Sequence, residues 1–217
     1  MDEYDGGEVK AEGDYRMLLA EVRVATLASS AGLADLAAEF GNLLVQTEAV
    51  GFSVTRLGAG DNPVARAQIP AILARPLARD WQRLANVPFQ AWNRLPWAYS
   101  YEPGPGVPDL SGSVAFAELA GPDAPFEAAR TRIGFTLMAP HTEYPWHAHP
   151  AREIYIVVSG RARWSQDHET DWRDPGAVIF HAPGVPHAMR TGDEPLLAFY
   201  AWRGAIEVPS HYVRAPR

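Results

Sequence analysis

From Tyr15 to about Val50 apolar residues recur at helical spacing: Met17-Leu18, Val22, Leu27, Leu33, Leu36-Ala37, Phe40 and Leu43-Leu44. That period belongs to amphipathic helices, and Gly32 interrupts it, so two helices are expected. A second helical zone runs from about Val64 to Leu84, where Pro70 and Pro76 should divide it into short pieces. Trp81, Phe89, Trp92 and Trp97 follow. Aromatic side chains at such spacing are expected to pack between layers rather than to bind a ligand.

The texture changes after Tyr101-Glu-Pro-Gly-Pro-Gly-Val-Pro108, a segment whose composition reads as a linker. Short β-like runs then succeed one another: Val114–Leu119, Arg132–Met138, Glu153–Val158, Ala162–Ser165, Ala177–Phe180, His187–Arg190 and Leu196–Trp202. Gly, Pro and Asp punctuate them, as in an antiparallel sandwich or barrel. The pattern therefore predicts a mainly β protein with an N-terminal helical layer. Residues 1–14 are expected to be a disordered tail, 15–100 a helical region packed on the barrel, 101–110 a linker, and 111–217 the barrel itself.

Composition narrows the chemistry. The chain has 217 residues, enough to bury a core without a staple. It contains no cysteine, which excludes disulfides, thiolate metal sites and cysteine nucleophiles. The formal net charge of -7 makes duplex nucleic acid an improbable partner. Lys10 is the only lysine, so Schiff-base chemistry is not expected. The start of the chain is acidic and polar, without the apolar core of a signal peptide, and no run reaches the length of a membrane span. A cytoplasmic protein with no membrane partner is the expectation. The oligomeric state stays open, with a homodimer as the assembly considered.

All seven histidines lie beyond residue 140. The informative stretch is His141-Thr-Glu-Tyr144-Pro-Trp-His147-Ala-His149-Pro-Ala-Arg-Glu153-Ile-Tyr155. Residues two apart on a strand share a face, so His147 and His149 can both point inward, and Glu153 shares a face with Tyr155 and Val157. A carboxylate inside an apolar strand would cost several kcal/mol if unpaired, a conflict that a metal ion removes. His187 is the first inward candidate after the turn at Ala182-Pro-Gly-Val-Pro. Two imidazoles and a carboxylate, with or without a third imidazole, leave positions open, as catalytic metal sites do. One divalent ion is expected, and Zn, Fe, Mn, Ni and Co all suit this donor set. His141, His168, His181 and His211 have no readable partner pattern. Arg152, Arg161 and Arg163 are expected to face solvent.

His147-x-His149-x-x-x-Glu153, followed by Gly160, is similar to the first cupin motif, and Pro183-Gly184-x-x-His187 resembles the second, although the usual glycine before the first histidine is absent. The resemblance implies a cupin (double-stranded β-helix) barrel. The finer pattern adds Tyr144, Tyr155 and the run Glu194-Pro-Leu-Leu-Ala-x-Tyr-x-Trp202. It resembles the cupin-type dimethylsulfoniopropionate (DMSP) lyases, which cleave DMSP by β-elimination to dimethyl sulfide and acrylate.

That resemblance implies metal ligands at His149, Glu153 and His187, with His147 a ligand or a neighbour of the ligands. It implies a base at Tyr155 and substrate-binding aromatics at Tyr144 and Trp202, the substrate being a small zwitterionic carboxylate. The chemistry is reasonable: a dication beside a phenol favours phenolate, and a sulfonium suits aromatic faces. For Tyr155, Tyr144 and Trp202 the competing explanation is packing in the barrel. Competing functions are an Fe-dependent dioxygenase, an isomerase, and a non-catalytic cupin that binds a small ligand.

Overall fold

The computed structural model describes residues 3–48, 50–102, 106–166 and 169–216. Four α-helices come first: α1 (Glu3–Ser29), α2 (Ala37–Gln46), α3 (Pro63–Leu73) and α4 (Phe89–Asn93). A 3-10 segment, Arg79–Asn86, lies between the last two. The expected break falls where Gly32 adopts φ 83°, a backbone state glycine enters without steric cost. Two expectations fail here. Residues 3–14, assigned to a tail, form the first turns of α1; Glu12 and Arg16, one turn apart, pair at 2.7 Å, and Tyr15 is buried against Phe52. Pro70 sits inside α3 instead of breaking it. Pro70 and Arg66, whose carbonyl loses a donor, both lie on the exposed side of the helix, where the missing bond costs less than it would in the core.

All seven anticipated β runs are strands: β1 (Val114–Gly121), β3 (Thr131–Met138), β5 (Ala151–Ser159), β6 (Ala162–Gln166), β8 (Val178–His181), β9 (His187–Thr191) and β10 (Leu196–Gly204). Four more complete the set: β2 (Phe126–Glu127), β4 (Glu143–Ala148), β7 (Glu169–Arg173) and β11 (His211–Tyr212); of these only the strand around His147 was expected, and it ends before His149. β7 is exposed or half-exposed along its length and carries no alternation to read, while Pro145 obscures β4. The strands form two sheets, ordered β2-β1-β3-β10-β5-β8 and β11-β4-β9-β6-β7.

The six-stranded sheet is buried on both faces. Along β5, Ile154, Ile156 and Val158 join the helices' core, whereas Tyr155 and Val157 turn into the space between the sheets. β10 divides the same way, with Leu197 and Phe199 outward and Leu196 and Ala198 inward. Two-sided burial explains why Ile154 to Val158 reads as a continuous apolar run, with no polar alternation, after Glu153. Trp81 packs on Phe199 and Trp92 on Phe135, so these aromatics weld the helices to the sheet, as expected for packing. Phe89 remains partly exposed. The segment read as a linker does more than connect: Tyr101 packs against the inter-sheet core.

One position should be intolerant of any side chain. Gly160 turns the chain from β5 into β6 at φ 72°, and a Cβ there would fall 1.9 Å from the Pro195 carbonyl oxygen. Gly160→Ala is expected to cost about 1–3 kcal/mol from the backbone state alone, with the clash adding to it. Denaturant unfolding of the two proteins measures the difference.

Candidate metal centre

The strand register assembles the site from both sheets. On the six-stranded sheet, Glu153 of β5 lies between His181 of β8 and Trp202 of β10. On the facing sheet, His147 of β4 lies opposite His187 of β9. His149 is one residue past the end of β4 rather than within a strand, at the corner where Pro150 turns the chain into β5. The His149 carbonyl accepts the Gly184 N–H at 2.8 Å, which ties the Pro183-Gly184 turn to that corner. His147, His149, Glu153, His181 and His187 are all buried.

Among the described residues, His149, Glu153 and His187 each offer one ligand atom, all within 4.8 Å of one another. His147, grouped with them in the sequence reading, lies outside this triplet. Its ring packs edge-on to His187 at 4.1 Å and stacks on Tyr144 at 3.9 Å.

Tautomers decide what these rings can do. The Nδ1 atoms of His147, His149 and His187 lie 2.8, 3.1 and 2.9 Å from the carbonyls of Pro145, Ala151 and Val185. A carbonyl only accepts, so each Nδ1 must carry the proton. In the neutral rings Nε2 is then a bare lone pair. His149 Nε2 lies 3.0 Å from Glu153 Oε2, and His187 Nε2, which has no hydrogen-bond partner, lies 3.3 Å from it. In a buried space, Nε2 atoms this close to a carboxylate oxygen must either carry a second proton, as imidazolium, or share a cation with it. Backbone carbonyls holding the far nitrogen are the usual support of metal-bound imidazoles. The residues present therefore fit a divalent ion, with two nitrogens, one oxygen and no thiolate as donors.

Charge follows the same logic. Burial alone would push the Glu153 carboxyl up, but donation and charge from these imidazoles in their protonated form, His149 first, then His181 and His187, hold it well below its ordinary value. Burial and the neighbouring His187 lower His147 well below the usual imidazole range. His181 falls to about 4 for the same two reasons.

A cavity of about 370 Å³ opens beside this centre, and Tyr101, Phe116, Tyr144, Tyr155 and Trp202 are among its lining. Tyr155 is buried, and its hydroxyl has only a long contact, 3.3 Å, to Thr136. Burial first, and the charge of Glu153 second, push its phenol well above the ordinary value. The Tyr144 hydroxyl is closely bonded to that of Tyr101, which in turn donates to Ser210 at 2.8 Å. Trp202 packs on His149 at 4.1 Å and donates its indole N–H to Glu153 Oε1 at 2.6 Å.

Sequence reasoning missed Tyr101 and His181. Tyr101 lies in a Pro/Gly-rich stretch, and His181 stands alone at a strand end without a spacing partner; only cross-strand register pairs it with Glu153. His141 pairs with Asp193 at 3.4 Å on the surface, His211 is exposed, and His168 lies outside the described residues. Arg152 and Arg161 are about half exposed, as expected, but both are paired, with Glu39 at 2.8 Å and Asp174 at 3.2 Å. Arg163 is exposed.

Comparison with known proteins gives a consistent answer. The profile of the DMSP lyase family matches residues 56–198. The putative DMSP lyase DddL of Cereibacter sphaeroides is 41% identical over 116 residues, covering 52% of this chain and 48% of that protein. The DMSP lyase DddQ of Ruegeria pomeroyi is 34% identical over 112 residues, 51% of this chain and 56% of that one. The chain thus spans about half the length of the curated relatives it matches. Among solved structures, one described with the DMSP lyases RdDddP and RnDddQII aligns over 94% of this chain and 100% of its own, with TM-score 0.68 and 26% identity. The crystal structure of Ruegeria pomeroyi DddQ covers 87% of this chain and 96% of its own at TM-score 0.68 and 24% identity, a likeness of fold. These neighbours agree with the cupin barrel and its N-terminal helices.

If the triplet holds the ion, His149→Ala and His187→Ala should each remove most bound metal from the purified protein, while a surface change such as His211→Ala should not. Elemental analysis reads the result, and full metal occupancy in both triplet variants would remove the site from consideration.

Proposed function

The chain belongs to the DMSP lyase family, and from that premise we propose that it cleaves DMSP by β-elimination, using a divalent ion held by His149, Glu153 and His187. The observation that carries this reading is the convergence of the His149 and His187 lone pairs on Glu153 in a cavity lined by Tyr155. When bound, the ion supplies positive charge for the substrate carboxylate, making the adjacent α-proton more acidic.

The chain's own residues divide the remaining work. Tyr155 takes the α-proton on its phenolate oxygen. The electrons of that C–H bond form the double bond of acrylate, and the β-carbon–sulfur bond breaks with its pair leaving on sulfur. Dimethyl sulfide departs neutral, so no acid is needed for the leaving group. The protein alone keeps Tyr155 a neutral phenol, and a bound dication opposes that effect. Tyr144 is less suited to the task, because its hydroxyl is committed to Tyr101. Tyr101, Phe116, Tyr144 and Trp202 present aromatic surface to the cavity, where a sulfonium gains quadrupole attraction. Burial of the site limits competing water.

Metal-loaded protein given DMSP should release dimethyl sulfide into the headspace. The rate should rise with pH as Tyr155 loses its proton, since only the phenolate can act as base. Tyr155→Phe should retain metal and fold yet lose about a hundredfold or more in rate. Activity near that of the unaltered protein in this variant would transfer the role to another group.

Recognition of the sulfonium is tested by its neutral thioether analogue, 3-(methylthio)propionate. Both ligands share the carboxylate, so that contact cancels in the comparison. Aromatic–cation contacts of about 0.5–2 kcal/mol each predict a preference of roughly tenfold or more for the cation. Inhibition by the thioether with a constant equal to the dissociation constant of DMSP would show that the rings serve packing alone.

A further inference from the structure

Glu153 is held at both oxygens by donors that are not candidate ligands. Trp202 Nε1–H occupies Oε1 at 2.6 Å, and His181 Nδ1 lies 2.8 Å from Oε2. His181 is fully buried, and unlike the other three site histidines it sends neither nitrogen to a backbone carbonyl. Its Nε2 accepts the indole N–H of Trp164 at 3.0 Å. An indole nitrogen only donates, so His181 Nε2 must be the bare nitrogen and Nδ1 must carry the proton. The chain of donation therefore runs one way, from Trp164 through His181 to Glu153. The His181 ring also stacks on His187 at 3.7 Å, so the same side chain braces a second member of the triplet.

We infer that His181, locked in one tautomer by Trp164, is a positioning residue that aims the Glu153 carboxylate at the metal. With Oε1 engaged by Trp202, only Oε2 is directed into the triplet, so Glu153 acts as a one-oxygen donor and leaves coordination space for a substrate carboxylate. His181 is no ligand itself, because both of its nitrogens are spent inside the protein. Rotation of the carboxylate to offer both oxygens would break the Trp202 and His181 hydrogen bonds together. This inference rests on the metal site of the proposed function but not on the identity of the substrate.

The test uses the full chain, stripped of metal and titrated with Co2+ in competition with a chromophoric chelator. His181→Phe keeps a buried ring but cannot donate. His181→Asn keeps a donor near the position of Nδ1 while giving up the contact to Trp164. Outer partners of metal ligands typically contribute 10–100-fold in affinity. His181→Phe should weaken Co2+ binding by about that factor, and His181→Asn should recover most of it. The visible Co2+ spectrum should change in His181→Phe and resemble the unaltered protein in His181→Asn. Trp164→Phe, which frees the tautomer, should fall between them. Unchanged affinity and spectrum in a folded His181→Phe protein would overturn the inference. So would equal losses in the Phe and Asn variants, since volume rather than hydrogen bonding would then be at work. If His181→Phe does not fold, Asn and Trp164→Phe decide: affinity unchanged in Trp164→Phe, or lost in Asn by the full factor, counts against the role. Loss of Co2+ affinity without any release of dimethyl sulfide from the unaltered protein would leave the positioning role standing and remove the substrate.

Discussion

At the centre of the barrel, Glu153 Oε2 lies within about a hydrogen-bond length of three imidazole rings, and only one of them can give it a proton. His149 and His187 have committed their Nδ1–H groups to backbone carbonyls, so as neutral rings they face the carboxylate with lone pairs. Such an arrangement is repulsive by itself. Burial magnifies it, because no solvent screens the opposed charges. The fold around the centre is what forces these groups together, and a shared cation would relieve the repulsion.

Each layer contributes to that force. The register of β5 with β8 and β10 puts His181, Glu153 and Trp202 in one row. Pairing of β4 with β9 puts His147 opposite His187 on the facing sheet. The helices, remote from the chemistry, fill the outer face of the six-stranded sheet through Trp81 and Trp92. That sheet is consequently clamped from both sides, and its inner row has little freedom to relax away from the repulsion.

Much of this was legible in the chain before any coordinates. His147, His149, Glu153 and His187 announce themselves by spacing, because short-range spacing on a strand or turn fixes which side chains share a face. The β runs were legible because Gly and Pro separate them and because apolar residues dominate sheets buried on both sides. What was not legible depends on register between strands far apart in the chain. His181 meets Glu153 only because β8 lies beside β5, and Tyr101 reaches Tyr144 only because the segment after α4 runs along the cavity. The role of Trp202 was half legible. Its ring was expected against the substrate, but its indole N–H also serves the carboxylate. Residues 3–14 show that polarity alone does not mark disorder, since the Glu12–Arg16 spacing supports a helix.

The aromatic wall has a mechanical meaning as well as a chemical one. Tyr101 reaches Ser210 across 109 residues of chain, and Tyr99 meets the hydroxyl of Tyr212 at 2.8 Å across 113. Tyr101 and Ser210 also line the cavity. The Tyr101–Ser210 hydrogen bond therefore does two things at once: it anchors the segment around β11 to the far side of the chain and it forms part of the cavity wall.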